Sequence, residues 1–268
     1  VDADLAIVTS IGLDHEEFLG NDIEQIGLEK AGVFRPGQKV VVGCVTGSVV
    51  EQARALNCDV LQLGVDFTVR ETSDAWSISG QNDGWSELPR GNLAPLNCAL
   101  GVMAAATLAA LSRAQILHAL AQAWLPGRLE QTRLADCDLY LDVAHNPAGA
   151  AFLAEQLAIR FPGREFVGVL GMLDNKDAAG VTAALRGTVK RWLTVASLGD
   201  RARSASDLAA AVSASIAQET APIPCKSMAA ALSHAQSFTR DDDGILVLGS
   251  FSAVEQARNL MNSGLLYL

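Results

Sequence analysis

The sequence has no CxxC pair, no long apolar run and no excess of positive charge, and each absence excludes a class of protein. The five cysteines are scattered, which argues against a disulfide framework or zinc site and predicts reduced thiols in a cytoplasmic protein. The apolar stretch around 101–111 is too short to span a bilayer, and no signal peptide is recognisable. A formal net charge of −10 argues against nucleic acid or anionic membranes as partners. A small anionic ligand is still compatible with this charge, because helix N-termini can bind one locally.

Apolar runs alternate with helical patterns along most of the 268 residues, half of which are hydrophobic. This alternation predicts an α/β architecture with parallel sheets. Over 67–88 the pattern changes to short β segments with turn signals, which predicts a small antiparallel meander. Pro-Gly at 126–127, before a charged stretch, predicts a boundary between domains 1–127 and 128–268. No GxGxxG motif opens a strand–helix unit, which argues against a Rossmann dehydrogenase.

The segment 138–149, DLYLDVAHNPAG, predicts a buried strand, a turn and a helix with Asn146 as its N-cap. Asp142 and His145 follow that strand, at the edge where open α/β sheets bind ligands. The carboxylate can accept hydrogen bonds from ribose or amino donors, and the imidazole can donate to an anion. The same pattern also fits an Asp and a His in an ordinary capped loop, so both interpretations stay open.

Polar loops also follow two other predicted strands of the second half, at 171–177 and 249–252. Because loops after parallel strands share one edge of the sheet, we expect these loops to converge with the Asp142 turn. Within the second loop, Ser250 offers a hydroxyl and nearby backbone N–H groups at the start of a helix.

Three further polar residues each allow two interpretations. His15 follows the first strand, where it can bind a metal or simply be solvated. Asn97 lies in the first turn of a predicted helix, where its amide can cap the helix or read a purine edge. Arg128 follows the Pro-Gly pair, where its guanidinium can bind two phosphate oxygens or simply lie at the surface.

A lysine falls on the apolar stripe of the helix predicted over 21–34. In this pattern Lys30 lies four residues after Ile26, and Gly27 leaves open space one turn back. A lysine in that position either snorkels and pairs with a nearby glutamate (24 or 29), or loses its charge. A neutral amine can take up carbon dioxide and become a carbamate, which reverses the sign of the side chain.

Seven motifs occur in order along the chain: VTSIGLDHEEFLG, IGLEKAGVFRPG, PLNCALG, LPGR, DVAHNP, GMLDNKD and LVLGSF. Together they resemble the folylpolyglutamate synthases, and more closely the bacterial dihydrofolate synthase/folylpolyglutamate synthases, within the Mur ligase family. DVAHNP alone is shared with the Mur ligases, whereas LDH…LG followed by EKAGVFRPG is similar to the folate branch. The resemblance implies the later part of a P-loop-type central ATPase domain over 1–127. It also implies a Rossmann-like, doubly wound glutamate ligase domain over 128–268.

The resemblance implies that ATP drives ligation of L-glutamate to dihydropteroate or folates through an acyl phosphate, in a monomeric enzyme that uses Mg²⁺. It implies that His15 ligates the magnesium ion and that Lys30 is a carbamylated lysine near the phosphates. It also implies that Asn97 reads adenine. Positive groups and the metal would stabilise charge on the moving phosphoryl group.

In the second half, the resemblance implies that Arg128 contacts phosphate and that Asp142 holds the ribose. His145 and Ser250 would help to seat the incoming glutamate. The two domains are then expected to close, so that the amine comes within attacking distance of the acyl phosphate.

The sequence departs from the family in one respect. The family carries a P-loop of the form GxxxxGK[ST], and no Gly-Lys dipeptide occurs in these 268 residues. The chain also begins almost directly in a strand, which suggests a piece of a longer protein whose P-loop, acidic metal ligand and pterin loops lie upstream. We therefore expect this chain alone to be inactive and the full-length enzyme to be active. A Mur-type ligase for peptidoglycan precursors and a non-catalytic nucleotide-binding module are the alternatives.

Overall fold

The structure, a computed structural model, divides the chain into two units between Trp124 and Leu125, three residues before the predicted boundary. It describes residues 3–12, 22–43, 46–72, 74–80, 84–91, 93–199, 201–215, 221–240 and 242–263. No helix within these ranges is both long and apolar enough to cross a membrane.

The first unit contains a three-stranded parallel sheet and a three-stranded antiparallel meander, as the sequence predicts. The parallel strands, in sheet order, are β1 (Leu5–Val8), β2 (Lys39–Val42) and β3 (Asp59–Gln62). The meander consists of β4 (Phe67–Glu71), β5 (Ala75–Gly80) and β6 (Gly84–Pro89). The helices are α1 (Ile23–Ala31), α2 (Gly47–Ala55), α3 (Pro95–Leu108) and α4 (Arg113–Gln122).

The central strand β2 shows how this sheet separates two apolar layers. Val41 packs with the meander and with α3, whereas Val40 and Val42 pack with residues of α1 and α2. Side chains alternate between the faces of a strand, so a continuous valine run is buried on both sides.

Helix α1 is shorter than predicted at both ends, and its N-cap is Asp22, whose carboxylate accepts from the backbone N–H of Glu24. Glu24 does not close a capping box on its own helix. Its carboxylate accepts from the backbone N–H groups of Gly47 (3.3 Å) and Ser48 (2.7 Å), at the start of α2. The hydrogen bonds from Ser48 are the largest cause of the lowered pKa of Glu24.

The second unit is one six-stranded sheet in the order β11-β10-β9-β12-β8-β7, with helices between its strands. Its strands are β7 (Glu130–Leu134), β8 (Cys137–Leu141), β9 (Phe166–Leu170), β10 (Val189–Thr194), β11 (Ile223–Pro224) and β12 (Gly244–Leu248). Its helices are α5 (Pro147–Arg160), α6 (Ala178–Ala184), α7 (Ala205–Ser213), α8 (Met228–Phe238) and α9 (Phe251–Ser263). The predicted doubly wound arrangement is confirmed.

Strand β7 is not predicted by the sequence pattern. Its sequence, EQTRL, reads as part of the charged stretch before the first predicted strand of this unit. It pairs antiparallel with β8 at the edge of an otherwise parallel sheet. An edge strand has one open side and tolerates charged residues, so its hydrophobic pattern is weak.

Both faces of the second sheet are covered, which explains its apolar strands. Leu139 and Leu141 of β8 belong to one core cluster, and Tyr140 between them belongs to the cluster on the opposite face. Strands β9 and β12 are buried throughout. Parallel sheets enclosed by helices require such runs, because every side chain faces a packed layer.

Ion pairs lie at the amino edge of this sheet, away from the loops that follow its parallel strands. Lys190 pairs with Asp243, and the Arg164 guanidinium donates to Asp138 (2.7 Å) and to the Tyr140 hydroxyl (2.6 Å). Burial raises the pKa of Asp243, but the hydrogen bonds and charges of Lys190 and Arg240 outweigh it and hold that pKa below its ordinary value.

Gly168 in β9 is needed for the packing of β9 against β10. A Cβ at this position would lie 2.5 Å from Cζ3 of Trp192 and 2.9 Å from Cγ1 of Val189. We expect Gly168→Ala to destabilise the chain by about 1–3 kcal/mol, because a fully buried indole has no room to move.

Denaturant unfolding measures this loss of stability, with Gly101→Ala as the matched control. Gly101 is helical with open space around it, so that variant should be stabilised by about 0.5–1 kcal/mol. Equal stabilities would contradict the packing argument.

Candidate active site at the carboxyl edge of the second sheet

The loops that follow β8, β9 and β12 lie side by side, because these strands are neighbours in the sheet. The backbone continues the pairing past the strand ends: Asp142 N–H donates to the Val247 carbonyl, and Gly171 N–H donates to the Leu248 carbonyl, both at 3.0 Å. The predicted convergence of the three polar loops is confirmed. This side of the sheet is called the carboxyl edge below.

Asp142 is the buried polar residue around which this edge is organised. It is 7% exposed, and each of its carboxylate oxygens accepts a backbone N–H. Leu129 donates to Oδ2 at 2.7 Å, and Ala144 donates to Oδ1 at 2.8 Å. Charged groups are rarely buried without such partners, because removing an unpaired carboxylate from water costs several kcal/mol. Asp142 therefore ties the segment after Pro-Gly to the loop after β8.

Two further side chains, Arg128 and His145, act on the same carboxylate. Burial raises the pKa of Asp142, and the hydrogen bonds from Leu129 and Ala144 oppose that rise, as do the charges of Arg128 and His145. Arg128 itself is exposed. The structure thus brings three of the predicted site residues together. Arg128, Leu129, Asp142, Ala144 and His145 are called the Asp142 cluster below.

His145 is half-buried, and a backbone contact orients its ring. Nδ1 lies 2.9 Å from the Val143 carbonyl, which favours the tautomer protonated at Nδ1. The next residue, Asn146, is the N-cap of α5, as predicted, and its side chain accepts from Gly149 N–H at 2.7 Å. The imidazole therefore lies beside the positive end of a helix, where an anionic group is stabilised.

Ser250 lies at the start of α9, as predicted, and is 8% exposed. Its hydroxyl accepts from Ala253 N–H at 3.1 Å and lies 3.2 Å from the hydroxyl of Ser252. Gly249 before it has φ +108°, and a Cβ there would lie 2.7 Å from the Gly171 carbonyl oxygen. The glycine therefore allows the loop that carries Ser250 to lie directly against the loop after β9.

Two candidates of the first unit remain predictions. Asn97 is exposed in the first turn of α3, and the helix has Ala94 at its N-cap with no side-chain cap, so Asn97 does not serve as one. His15 lies outside the described residues. Within the ranges that the structure describes, no group of three or more His, Cys, Asp or Glu side chains could hold a metal ion.

The prediction that Lys30 lies on the buried stripe of α1 is wrong. The buried residues of the helix are Ile26, Gly27 and Ala31, and Lys30 is exposed. Gly27 does not leave open space either, because a Cβ there would lie 2.7 Å from Cγ2 of Thr46. Gly27 thus lies on the face of α1 that packs against the start of α2, and Lys30 lies outside that face. Among the described residues, no ion pair joins Lys30 to Glu24 or Glu29.

The residues that hold the Pro-Gly segment in place have almost no signature in the sequence. Gly127 and Leu129 both have positive φ, +68° and +41°. The Glu130 carboxylate accepts from Gly127 N–H at 2.8 Å and also pairs with Arg258 of α9. Gly127 could have been predicted from its Pro-Gly context, but nothing in the sequence marks Leu129 or the pairing of Glu130 with a residue 128 positions away.

Replacing Asp142 with asparagine tests the two hydrogen bonds of its carboxylate. One amide oxygen can accept only one of the two N–H groups well, and the amide NH₂ would face the other. We expect Asp142→Asn to lower the free energy of unfolding by about 1–3 kcal/mol, since one buried donor loses its acceptor.

The pH dependence of that loss has a defined sign. Burial raises the pKa of Asp142 above its ordinary 3.8, so ionisation of this carboxyl lowers the stability of the folded state. The free energy of unfolding of the wild type should therefore fall as pH rises above 3.8, and its advantage over Asp142→Asn should become smaller. Asp243→Asn is the control. The pKa of Asp243 is lowered, so the stability that its carboxylate contributes is lost as pH falls. The difference in free energy of unfolding between wild type and Asp243→Asn should therefore become larger as pH rises. Urea unfolding of the three proteins in a pH series measures both, and the same sign for the two variants would contradict this account.

Comparisons with known proteins find similar sequences and structures along nearly the whole chain. The family described as "Mur ligase, glutamate ligase domain" matches residues 127–251. The dihydrofolate synthase/folylpolyglutamate synthase of Escherichia coli is 31% identical over 98% of this chain and 61% of its own length. The structure titled "E.coli FolC in complex with DHPP and ADP" has a TM-score of 0.90 at 30% identity and covers 98% of this chain and 63% of that one.

Another bifunctional folylpolyglutamate synthase/dihydrofolate synthase, solved with Mn, AMPPNP and L-glutamate bound, has a TM-score of 0.84. It is 32% identical and covers 98% of this chain and 63% of that one. The chain thus spans about three-fifths of the length of the relatives that it matches. The chain is therefore a homologue of the dihydrofolate synthase/folylpolyglutamate synthases, and its residues 127–251 match the glutamate ligase domain of the Mur ligases.

Proposed function

We propose that this chain belongs to an enzyme that uses ATP to ligate L-glutamate to dihydropteroate, to folates, or to both. In the proposed reaction the γ-phosphate of ATP passes to a carboxylate of the acceptor, which gives an acyl phosphate and ADP. The amine of glutamate attacks the acyl carbon, the bond from that carbon to the phosphate oxygen breaks, and the amine loses a proton as the amide forms. The homology to bifunctional synthases supports this reaction, as do the ADP, DHPP and L-glutamate in structures of relatives.

The Asp142 cluster is the observation that carries the proposal. Its exposed Arg128 is a suitable phosphate ligand, because a guanidinium binds two phosphate oxygens and stabilises charge on a moving phosphoryl group. Asp142 would accept from a ribose hydroxyl. Each of its oxygens already accepts one backbone N–H, and a carboxylate oxygen has capacity for a second donor.

The glutamate would be seated by the loops that carry His145 and Ser250. Glutamate brings two carboxylates, and both loops lie at the start of a helix, α5 and α9, where negative charge is stabilised. His145 would donate to a carboxylate or take the proton from the attacking amine, and Ser250 would donate through its hydroxyl.

In the first unit, Lys30 and Asn97 are proposed from their places in the family's motifs. Both side chains are exposed and therefore accessible, and the carbamate role of Lys30 rests on the motif alone, since the burial predicted to neutralise its amine is not found. Lys30 would become a carbamate by bonding its nitrogen to the carbon of carbon dioxide with loss of a proton.

Magnesium is the metal proposed for the reaction, with His15 as a ligand. His15 lies outside the described residues, and within them no group of three or more His, Cys, Asp or Glu side chains could hold a metal ion. In relatives of this family a manganese ion accompanies the nucleotide analogue.

The test uses the protein expressed from its complete reading frame, with ATP and L-glutamate, and mass spectrometry to detect the product. We expect a glutamylated product from dihydropteroate, from a reduced folate, or from both, and none from UDP-muramyl substrates. A product from the UDP-muramyl substrate alone would instead support a Mur-type ligase. ATP binding by calorimetry without any product would support a non-catalytic module. The 268-residue chain alone, which contains no Gly-Lys dipeptide, should give no product.

A further inference from the structure

The backbone of the segment 127–130 is anchored on both sides of Arg128. The Gly127 carbonyl accepts from Val143 N–H at 2.9 Å. Leu129 N–H donates to Asp142 at 2.7 Å. The Arg128 side chain is exposed while the residues before and after it are buried. The structure therefore fixes the point from which the guanidinium projects.

This backbone conformation requires support. Leu129 has φ +41°, in the left-handed region that a residue with a Cβ rarely adopts. Gly127 has φ +68°, and a Cβ there would lie 2.8 Å from Cγ1 of Val143 and 3.3 Å from Cγ1 of Val254. Such conformations persist only where surrounding contacts hold them.

Glu130 supplies a contact that the Asp142 cluster does not contain. Its carboxylate accepts from Gly127 N–H at 2.8 Å and pairs with Arg258. The side chains of Glu130 and Arg258 are only 14% and 29% exposed, so water screens the pair less than it would on an open surface. Arg258 lies two turns into α9, the helix that follows Ser250.

We propose that Glu130, held by Arg258, is a positioning residue for Arg128. Glu130 does not touch the substrate in this proposal. It fixes the turn at Gly127 through the backbone N–H, and the turn fixes the direction of the guanidinium. Arg258 holds the carboxylate and connects it to the helix that carries the glutamate-seating loop. The inference rests on the proposed function, in which Arg128 contacts a phosphate of ATP.

The test measures steady-state kinetics of Glu130→Ala, Glu130→Gln and Arg258→Met in the protein expressed from its complete reading frame. We expect Glu130→Ala to lower kcat and kcat/KM for ATP by about 10- to 100-fold, because small displacements of a positioned group have effects of that size. The KM for glutamate should change by less than about twofold. Glu130→Gln keeps an acceptor for Gly127 N–H, so it should recover part of the loss, whereas Arg258→Met should resemble Glu130→Ala in a milder form.

A double-mutant cycle separates positioning from general damage. If Glu130 acts through Arg128, Glu130→Ala should have almost no further effect on ATP kinetics in an Arg128→Ala background. Lys190→Met is the structural control: it removes an ion pair of similar burial at the amino edge, and it should lower thermal stability without changing KM for ATP. If Glu130→Ala does not fold, Glu130→Gln and Arg258→Met complete the same cycle.

The outcomes distinguish this inference from the proposed function. ATP kinetics that respond to Arg128→Ala but not to any Glu130 or Arg258 variant would overturn the inference and leave the function intact. Equal losses for Glu130→Ala with and without Arg128 would overturn it as well, since the carboxylate would then act independently. ATP kinetics unaffected by Arg128→Ala itself would overturn the proposed role of Arg128 and the inference with it.

Discussion

Replacing Arg128 with alanine in the protein expressed from its complete reading frame lowers kcat for glutamate ligation by about 10²- to 10³-fold, if the proposed role is correct. The guanidinium would then stabilise negative charge that develops on the transferred phosphoryl group, so its loss affects the chemical step. Arg128→Lys should recover only part of the loss, because an ammonium group keeps the charge but not the two-point geometry. Single-turnover measurement of ADP formation separates this step from product release.

Arg133 is the matched control for Arg128. It lies on the neighbouring strand β7, its side chain is 63% exposed, and its guanidinium pairs with Asp138 at 3.5 Å. Because exposed pairs of this kind contribute little, Arg133→Ala should leave kcat within about twofold of wild type. Comparable kcat values for Arg128→Ala and Arg133→Ala would show that Arg128 is an ordinary surface arginine.

Replacing Lys30 with alanine should abolish ligation, with a loss of about 10³-fold or more, if Lys30 acts near the phosphates as a carbamate. A carbamate is a carboxylate on a long side chain, so short carboxylic acids added to Lys30→Ala should restore part of the activity. Growth with ¹³C-labelled bicarbonate should give a carbamate carbon signal in the NMR spectrum of the wild type that is absent from Lys30→Ala.

Lys39 provides the control for Lys30 within the same unit. It begins β2, and its ammonium donates to the Thr107 carbonyl at 2.8 Å, at the end of α3. Lys39→Met should lower stability modestly and leave ligation and the labelled carbamate signal unchanged. Full activity in Lys30→Ala would remove the carbamate role. That result would leave the roles of the second unit untouched, because they rest on separate residues.

The strand–helix alternation could be predicted from the sequence because buried parallel strands are continuous apolar runs. The Val40–Val42 stretch and the LYL sequence of β8 show the pattern directly. Strand β7 gave no such signal, because half-buried Glu130 and Thr132 alternate with exposed Gln131 and Arg133 and only Leu134 is apolar. Apolar runs therefore identified the parallel strands of the two sheets and missed the polar antiparallel strand β7.

The orientation of α1 shows a different limit of the sequence pattern. Positions 23, 26, 27, 30 and 31 share one side of a helix, and the pattern could not decide which of them pack. The close approach of Gly27 to Thr46 decides it, and that contact depends on where α2 lies. Lys30 is exposed as a result.

In the second unit the sequence identified Arg128, Asp142 and His145 as candidates but not how they are connected. Asp142 and His145 share the loop after β8, so their proximity could be predicted, whereas Arg128 precedes the antiparallel strand β7 and no rule of parallel sheets brings it there. The link between Asp142 and Leu129 N–H is a tertiary contact to a backbone group, and any residue type could supply that donor. The positive φ of Leu129 is equally invisible, because leucine does not favour it.

The central claim, that this chain belongs to an ATP-dependent ligase that forms an acyl phosphate, is tested most directly by an oxygen-transfer measurement. The protein expressed from its complete reading frame is given ATP, L-glutamate and a folate or dihydropteroate acceptor labelled with ¹⁸O in the reacting carboxylate. An acyl phosphate passes one carboxylate oxygen to the phosphate when the amide forms, so the account predicts one ¹⁸O atom in each phosphate released. Phosphate without the label, in a reaction that still forms the glutamylated product, would contradict it.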